Sequence, residues 1–239
     1  MKKIVFIIII LIMIIPAKAQ FLKKLKKVAE DTIEETTNSS FSEEEAGKAL
    51  KEALTLGIEK GVSRLSKPDG YFKDLEIKIP MPKAAKQVEE KLRMLGMDKA
   101  VDDAIESMNR AAEDAAIGAK DIFISAIKEL TLTDVMNIVK GEDNAATQYL
   151  EDHTRSQLLE KFKPVIKVSL DKVDATKYWN AVFKYYNKLP FVKKVNPDLE
   201  DYVTNRAIDG LFVQIAKEEK KIRKDPLARV TDLLKKVFG

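Results

Sequence analysis

The sequence predicts an all-α fold: a single multi-helix, bundle-like domain with one short extended segment near residues 75–81. Three observations point there. Apolar residues recur three and four positions apart over most of the chain beyond Ser42, as they do in helices that bury one face. Of the eight prolines, every one after Pro16 falls at a proposed element boundary. Only Leu75, Ile77 and Ile79 alternate with charged residues in the manner of a strand.

Residues 1–19 read as a secretory signal peptide. Met1, Lys2 and Lys3 give a positive start, Ile4 to Ile15 form an uninterrupted apolar run, and Ala17-Lys18-Ala19 offers small residues for cleavage near Ala19. The run is short of the roughly 20 apolar residues a transmembrane helix requires. A periplasmic or secreted location is therefore expected. Cleavage removes Lys2, Lys3 and Lys18 and lowers the basic count from 42 to 39, against 38 acidic side chains. That near-neutral chain lacks the sustained basic surface that nucleic acid requires. It also has no cysteine, which excludes a lipoprotein anchor, a thiol nucleophile and thiolate zinc sites, and leaves burial alone to hold an exported fold.

Residues 20–41 form a charged arm expected to be mobile, and 42–239 a single helical domain. In the arm, Phe21, Leu22, Leu25 and Val28 share one helical face opposite Lys23, Lys24, Lys26 and Lys27. Such a segment can lie in an anionic membrane interface, or dock on the body instead. The first body helix spans 42–66, with Ser42 and Glu45 as a capping box and Leu50, Leu54, Ile58, Val62 and Leu65 buried. Gly57 and Gly61, one turn apart, mark a close crossing with another helix.

Lys67-Pro68-Asp69-Gly70 stops that helix. The extended segment after it must lie along the helical body, pair with another chain or find a second strand, because its backbone polar groups need partners. Ile166, Val168 and Leu170 are the one alternating partner in view, although Pro164 favours a helix start there. Further helices fit 83–95, 98–117 with an alanine-rich face, 119–130, 134–140 capped by Thr133, 144–162, 164–172 and 175–188. Asn196-Pro197 opens a helix to about 223 that is apolar around nearly its whole circumference, so it belongs at the centre. A last helix from Asp225-Pro226 carries Leu227, Val230, Leu234, Val237 and Phe238 on one face.

Chemistry is sparse. His153 is the one histidine, so a catalytic triad or a histidine metal site would have to form around it, and nothing nearby in sequence supports one. Asp102-Asp103 and Glu142-Asp143 lack the spacing of a calcium loop, and the glycines are too dispersed for a phosphate-binding loop. No cofactor or metal is expected. Arg206 and Asp209 sit on the most apolar helix, where they form an ion pair with each other or a polar anchor inside a ligand cavity. Tyr178, Trp179 and Tyr186, with Phe183 and Tyr185, pack a core or wall a concave apolar site. Arg110 points off the alanine face and asks for no special role.

Ala49-Leu50-Lys51-Glu52-Ala53-Leu54, Ile77-Lys78-Ile79-Pro80-Met81-Pro82 and Met108-Asn109-Arg110-Ala111-Ala112-Glu113 follow one another in the order of a recognisable pattern. Ala146-Thr147-Gln148-Tyr149, Asp201-Tyr202-Val203-Thr204, Asp209-Gly210-Leu211-Phe212 and Leu233-Leu234-Lys235-Lys236-Val237-Phe238 continue it. The pattern resembles the bacterial family catalogued as domain of unknown function 4197, with Met81 where that family would have leucine. The resemblance implies an exported, mostly helical protein of Gram-negative bacteria and carries over no catalytic residue. The expected role is non-catalytic binding of an apolar or lipid-like ligand or an envelope protein. A peripheral membrane protein held by the arm and an uncharacterised hydrolase are the alternatives; oligomeric state is left open.

Overall fold

The structure is a computed structural model whose described residues are 42–172, 198–238 and the single positions 179, 184, 187, 188 and 194. The chain divides at Ser42, and Glu43–Gly239 forms one compact unit. Among the described residues it holds eight α-helices and no strand, as the all-α reading requires. The helices are α1 (Glu43–Leu65), α2 (Lys86–Met94), α3 (Asp98–Ala116), α4 (Ala119–Glu129), α5 (Leu132–Lys140), α6 (Ala145–Asp171), α7 (Leu199–Lys224) and α8 (Asp232–Phe238).

Helix α7 is the axis of the fold, packed on α6, α1 and α3. Its Val203, Ala207, Ile208 and Leu211 are completely buried, and Phe212 and Ile215 nearly so. The crossing with α1 runs through Gly57 and Gly61: a Cβ added at either would lie 3.5 Å from Glu218 Cβ or Gln214 Cγ. Small residues there let two backbones approach. On α3, the alanine face is buried at Ala111, Ala112, Ala115 and Ala116, which brings α6 and α7 close to it.

Several boundaries differ from the sequence expectation. Helix α5 starts at Leu132 rather than after Thr133, because Thr131 makes the full capping box: its hydroxyl accepts from the Asp134 N–H while the Asp134 carboxylate accepts from the Thr131 N–H. The Thr131 hydroxyl, 2.7 Å from Asp134 Oδ2, and then the Thr131 N–H hold the Asp134 carboxyl below its ordinary pKa. Helix α6 runs unbroken through Pro164 instead of dividing into 144–162 and 164–172. Leu158, Phe162, Ile166 and Leu170 lie fully buried at four-residue spacing on both sides of the proline, and that shared face outweighs the lost backbone hydrogen bond.

Helix α7 is capped by Asp198, whose Oδ1 accepts from the Asp201 N–H at 2.8 Å; Asn196 and Pro197 lie outside the described residues. So does most of the expected 175–188 helix, of which Trp179 and Lys184 are described and helical. After α7, Asp225 caps a 3-10 turn, Pro226–Ala228, and Arg229 donates to the carbonyls of Ile222 and Arg223 at the end of α7. The apolar face expected from Leu227 onward therefore narrows: Leu227 and Val230 are exposed, and Leu234 is buried against Ala49, Ala53 and Ile222.

The segment near 75–81 lies along the helical body. Residues 75–77 form a turn, and 78–82 have neither helix nor strand. Leu75 is 91% exposed, whereas Ile77 and Ile79 are buried, so the three do not share one face.

Candidate functional site

Helix α3 has two working faces, and a single residue lies on both. The first holds the 66–82 loop. Asn109, fully buried, accepts the Ile79 N–H at Oδ1 (2.8 Å) and donates from Nδ2 to the Ile79 carbonyl (2.9 Å). One side-chain amide thereby replaces a neighbouring strand. Four residues on, Glu113 Oε1 accepts from the N–H groups of Tyr71 and Phe72 at 3.0 and 3.1 Å. Tyr71 is buried, and its hydroxyl donates to the Ala207 carbonyl at 2.7 Å. Its ring lies against Gly210, where a Cβ would come within 2.7 Å of Tyr71 Cε1. Burial, with the Glu113 carboxylate beside it, raises the Tyr71 pKa far above its ordinary value. Tyr202 adds a hydroxyl bond to the Pro80 carbonyl.

Arg110 joins this face to the next. Its guanidinium donates to Glu113 Oε2, Asp69 and Glu106, each through a bond of 2.8 or 2.9 Å, and lies 5.4 Å from the Phe72 ring centroid. Lys78 approaches the same ring, with Nζ 4.2 Å from its centroid. Hydrogen bonding to Glu113 first, then to Asp69 and Glu106, raises the Arg110 pKa, so the group stays charged. The Asp69 carboxyl is correspondingly lowered, by Lys73 and then by Arg110.

On its second face α3 meets α6 across an open groove. Two adjoining cavities of about 430 and 340 Å³ share Asp114, Ser169 and Lys172. Pro164, Val165 and Val168 of α6 give the first cavity its apolar lining, and Asp103, Glu106, Ser107 and Arg110 of α3 give the second its polar lining. Val168 is 56% exposed. Asp114 accepts the Ser169 hydroxyl at 2.7 Å, which ties the two walls together. The volumes lie in the range of binding clefts, and the mixed lining suits an amphipathic occupant.

Arg206 and Asp209 stand apart from this groove. Both are about two-fifths exposed, and their mutual contact is a long 3.9 Å; the closer partner of Asp209 is Arg155 of α6, which also pairs with Glu151. They line neither cavity of the α3–α6 groove. Trp179 is buried. Tyr178 and Tyr186 lie outside the described residues, as do Phe21, Leu22, Leu25 and Val28 of the arm. His153 is exposed, stacked on Tyr149 with centroids 4.0 Å apart, and its Nδ1 lies 2.7 Å from the Tyr149 carbonyl oxygen one turn back. Among the described residues no three His, Asp or Glu gather as a metal site, and no helix is long and apolar enough to cross a membrane.

Sequence reasoning missed Arg110, Glu113 and the groove. A signal was present: Glu106, Arg110 and Glu113 stand four and three apart, the spacing at which opposite charges meet on a helix. The groove itself has no local signature, because its walls are separated by some fifty residues of chain.

No curated protein and no solved structure matches the chain. The model of one family, described as a protein of unknown function (DUF4197), matches residues 40–239, and the chain belongs to that family.

Proposed function

We propose that this protein is an exported, non-catalytic binding module of the cell envelope, taking an apolar or lipid-like ligand or a protein partner in the α3–α6 groove. The observation that carries the reading is the groove itself: two adjoining cavities, one lined by Val165 and Val168 and the other by Asp103, Glu106 and Arg110. Apolar surface left open between two helices has a cost in water that an occupant would relieve. Export is supported by the positive start, apolar run and small residues of positions 1–19.

Photocrosslinking from a benzophenone side chain placed at Val168, in cells, tests both halves. The expected result is a discrete crosslinked species in the periplasmic fraction, lost when Val165→Glu is added. A chain that keeps Met1 in the cytoplasm, or that crosslinks to nothing above background, overturns the proposal.

A further inference from the structure

We infer that the ligand of the α3–α6 groove is a single-chain zwitterionic amphiphile, whose head carries an ammonium and a phosphate or carboxylate group. The inference rests on the groove being the binding site and names the chemical class of its ligand. Its ground is which of the lining charges lack a counter-charge. Asp103 is held by Lys99 at 2.7 Å, and Glu106 by Arg110 at 2.9 Å. Arg110 is in turn enclosed by Asp69, Glu106 and Glu113. Asp114 and Lys172 differ. Among the described residues neither has an ion-pair partner, and they do not reach each other; Asp114 Oδ2 accepts the neutral Ser169 hydroxyl instead.

Those two are also the charged residues that both cavities share, together with Ser169. One charge of each sign therefore stands open where the cavities adjoin, the anion on α3 and the cation at the end of α6. An ammonium set against Asp114 and an acidic group set against Lys172 satisfy both at once. The Ser169 hydroxyl gives its proton to Asp114 and keeps lone pairs for an ammonium N–H. From that junction the first cavity leads onto Pro164, Val165 and Val168, an apolar lining for one alkyl chain. A head of a single sign fits less well: an anion alone meets Asp114, and a cation alone meets Lys172. Cavities of about 430 and 340 Å³ are also of small-molecule size, whereas a stable protein interface covers about 800 Å² on each partner.

Titration calorimetry of the purified chain, with each probe below its micelle-forming concentration, tests this. The probes share one alkyl chain and differ in the head: dodecylphosphoethanolamine, dodecyl phosphate, dodecylamine and the uncharged dodecyl maltoside. The zwitterion is expected to bind about twofold to fivefold tighter than either singly charged probe, the worth of one exposed ion pair. Asp114→Asn, which keeps an acceptor for the Ser169 hydroxyl, should remove its advantage over dodecyl phosphate. Lys172→Gln should remove its advantage over dodecylamine, and Val168→Ser should weaken all four probes alike. The three positions are open to water, and circular dichroism checks that the helices persist. A zwitterion that binds no better than the maltoside, or that keeps both advantages in the two charge variants, overturns the inference. If Val168→Ser then still weakens the probes, the head-group class is wrong and the groove remains the site. If no probe binds, or Val168→Ser changes none of them, the groove reading falls as well.

Discussion

Asn109 is the residue on which the 66–82 loop depends. A segment outside any helix or sheet must satisfy its buried N–H and C=O groups by other means, and the carboxamide offers one acceptor and two donors. Two of these three go to Ile79 and the remaining donor to the Ile105 carbonyl of its own helix at 2.8 Å. Asn109→Ala would leave both Ile79 groups buried without partners. The expected loss is about 3 kcal/mol in urea unfolding, since each orphaned group costs about 1–3 kcal/mol. Asn109→Asp separates the two bonds: a carboxylate still accepts from the Ile79 N–H and cannot donate to its carbonyl. It should be at least as damaging, and a variant as stable as the parent would show that the amide does not hold the loop. In sequence Asn109 reads as one polar residue beside an alanine face, because its partner lies thirty positions back.

Helix ends show the same limit at the scale of the element. The α5 cap was legible in principle, since Thr131 has Asp134 three residues on whereas Thr133 has Met136. The α6 cap was not. Asn144 at its start makes no side-chain cap, and the orphan donors are taken by Glu219 of α7, which accepts the N–H groups of Ala146 and Thr147 and the Thr147 hydroxyl at 2.7 to 3.0 Å. Arg223 holds the same carboxylate through Nε and Nη2 and also donates to the Ile138 carbonyl. With side chains only 5% and 12% exposed, neither charge can fall back on water. Glu219→Ala should therefore cost about 3–5 kcal/mol, the usual penalty for stranding one member of a buried pair. Glu219→Gln recovers only part, because its NH₂ would face donors. Hydrogen exchange at the first turn of α6 should speed up in both variants ahead of α3; unchanged exchange there would mean that Glu219 does not cap the helix.

For the whole molecule, the central place of α7 was readable because apolar residues surround nearly its whole circumference, and a close crossing on α1 because Gly57 and Gly61 would otherwise weaken a helix for no return, although which helix they meet was not. What stayed hidden were contacts between distant segments: the loop over α3, the groove beside α6 and the pairing of Asp209 with Arg155. Tyr71 is where those hidden contacts converge, since it ties the loop to α3 through Glu113 and to α7 through Ala207. Its phenol is held neutral by burial, so the folded pKa lies far above the unfolded value of about 10. Below that pH the unfolded chain also keeps the proton, and the group makes no pH-dependent contribution to the difference. Above it the unfolded phenol ionises while the folded one cannot, the folded state binds the extra proton, and stability falls as pH rises. One such group gives a slope of about 1.4 kcal/mol per pH unit. Urea midpoints measured between pH 9 and 11, as an order-of-magnitude window around that value, should fall more steeply for the parent than for Tyr71→Phe. The difference between the two slopes isolates Tyr71 from the lysines and other tyrosines that titrate alongside it. Parallel slopes would mean that the phenol reaches solvent without unfolding, and that the loop opens on its own.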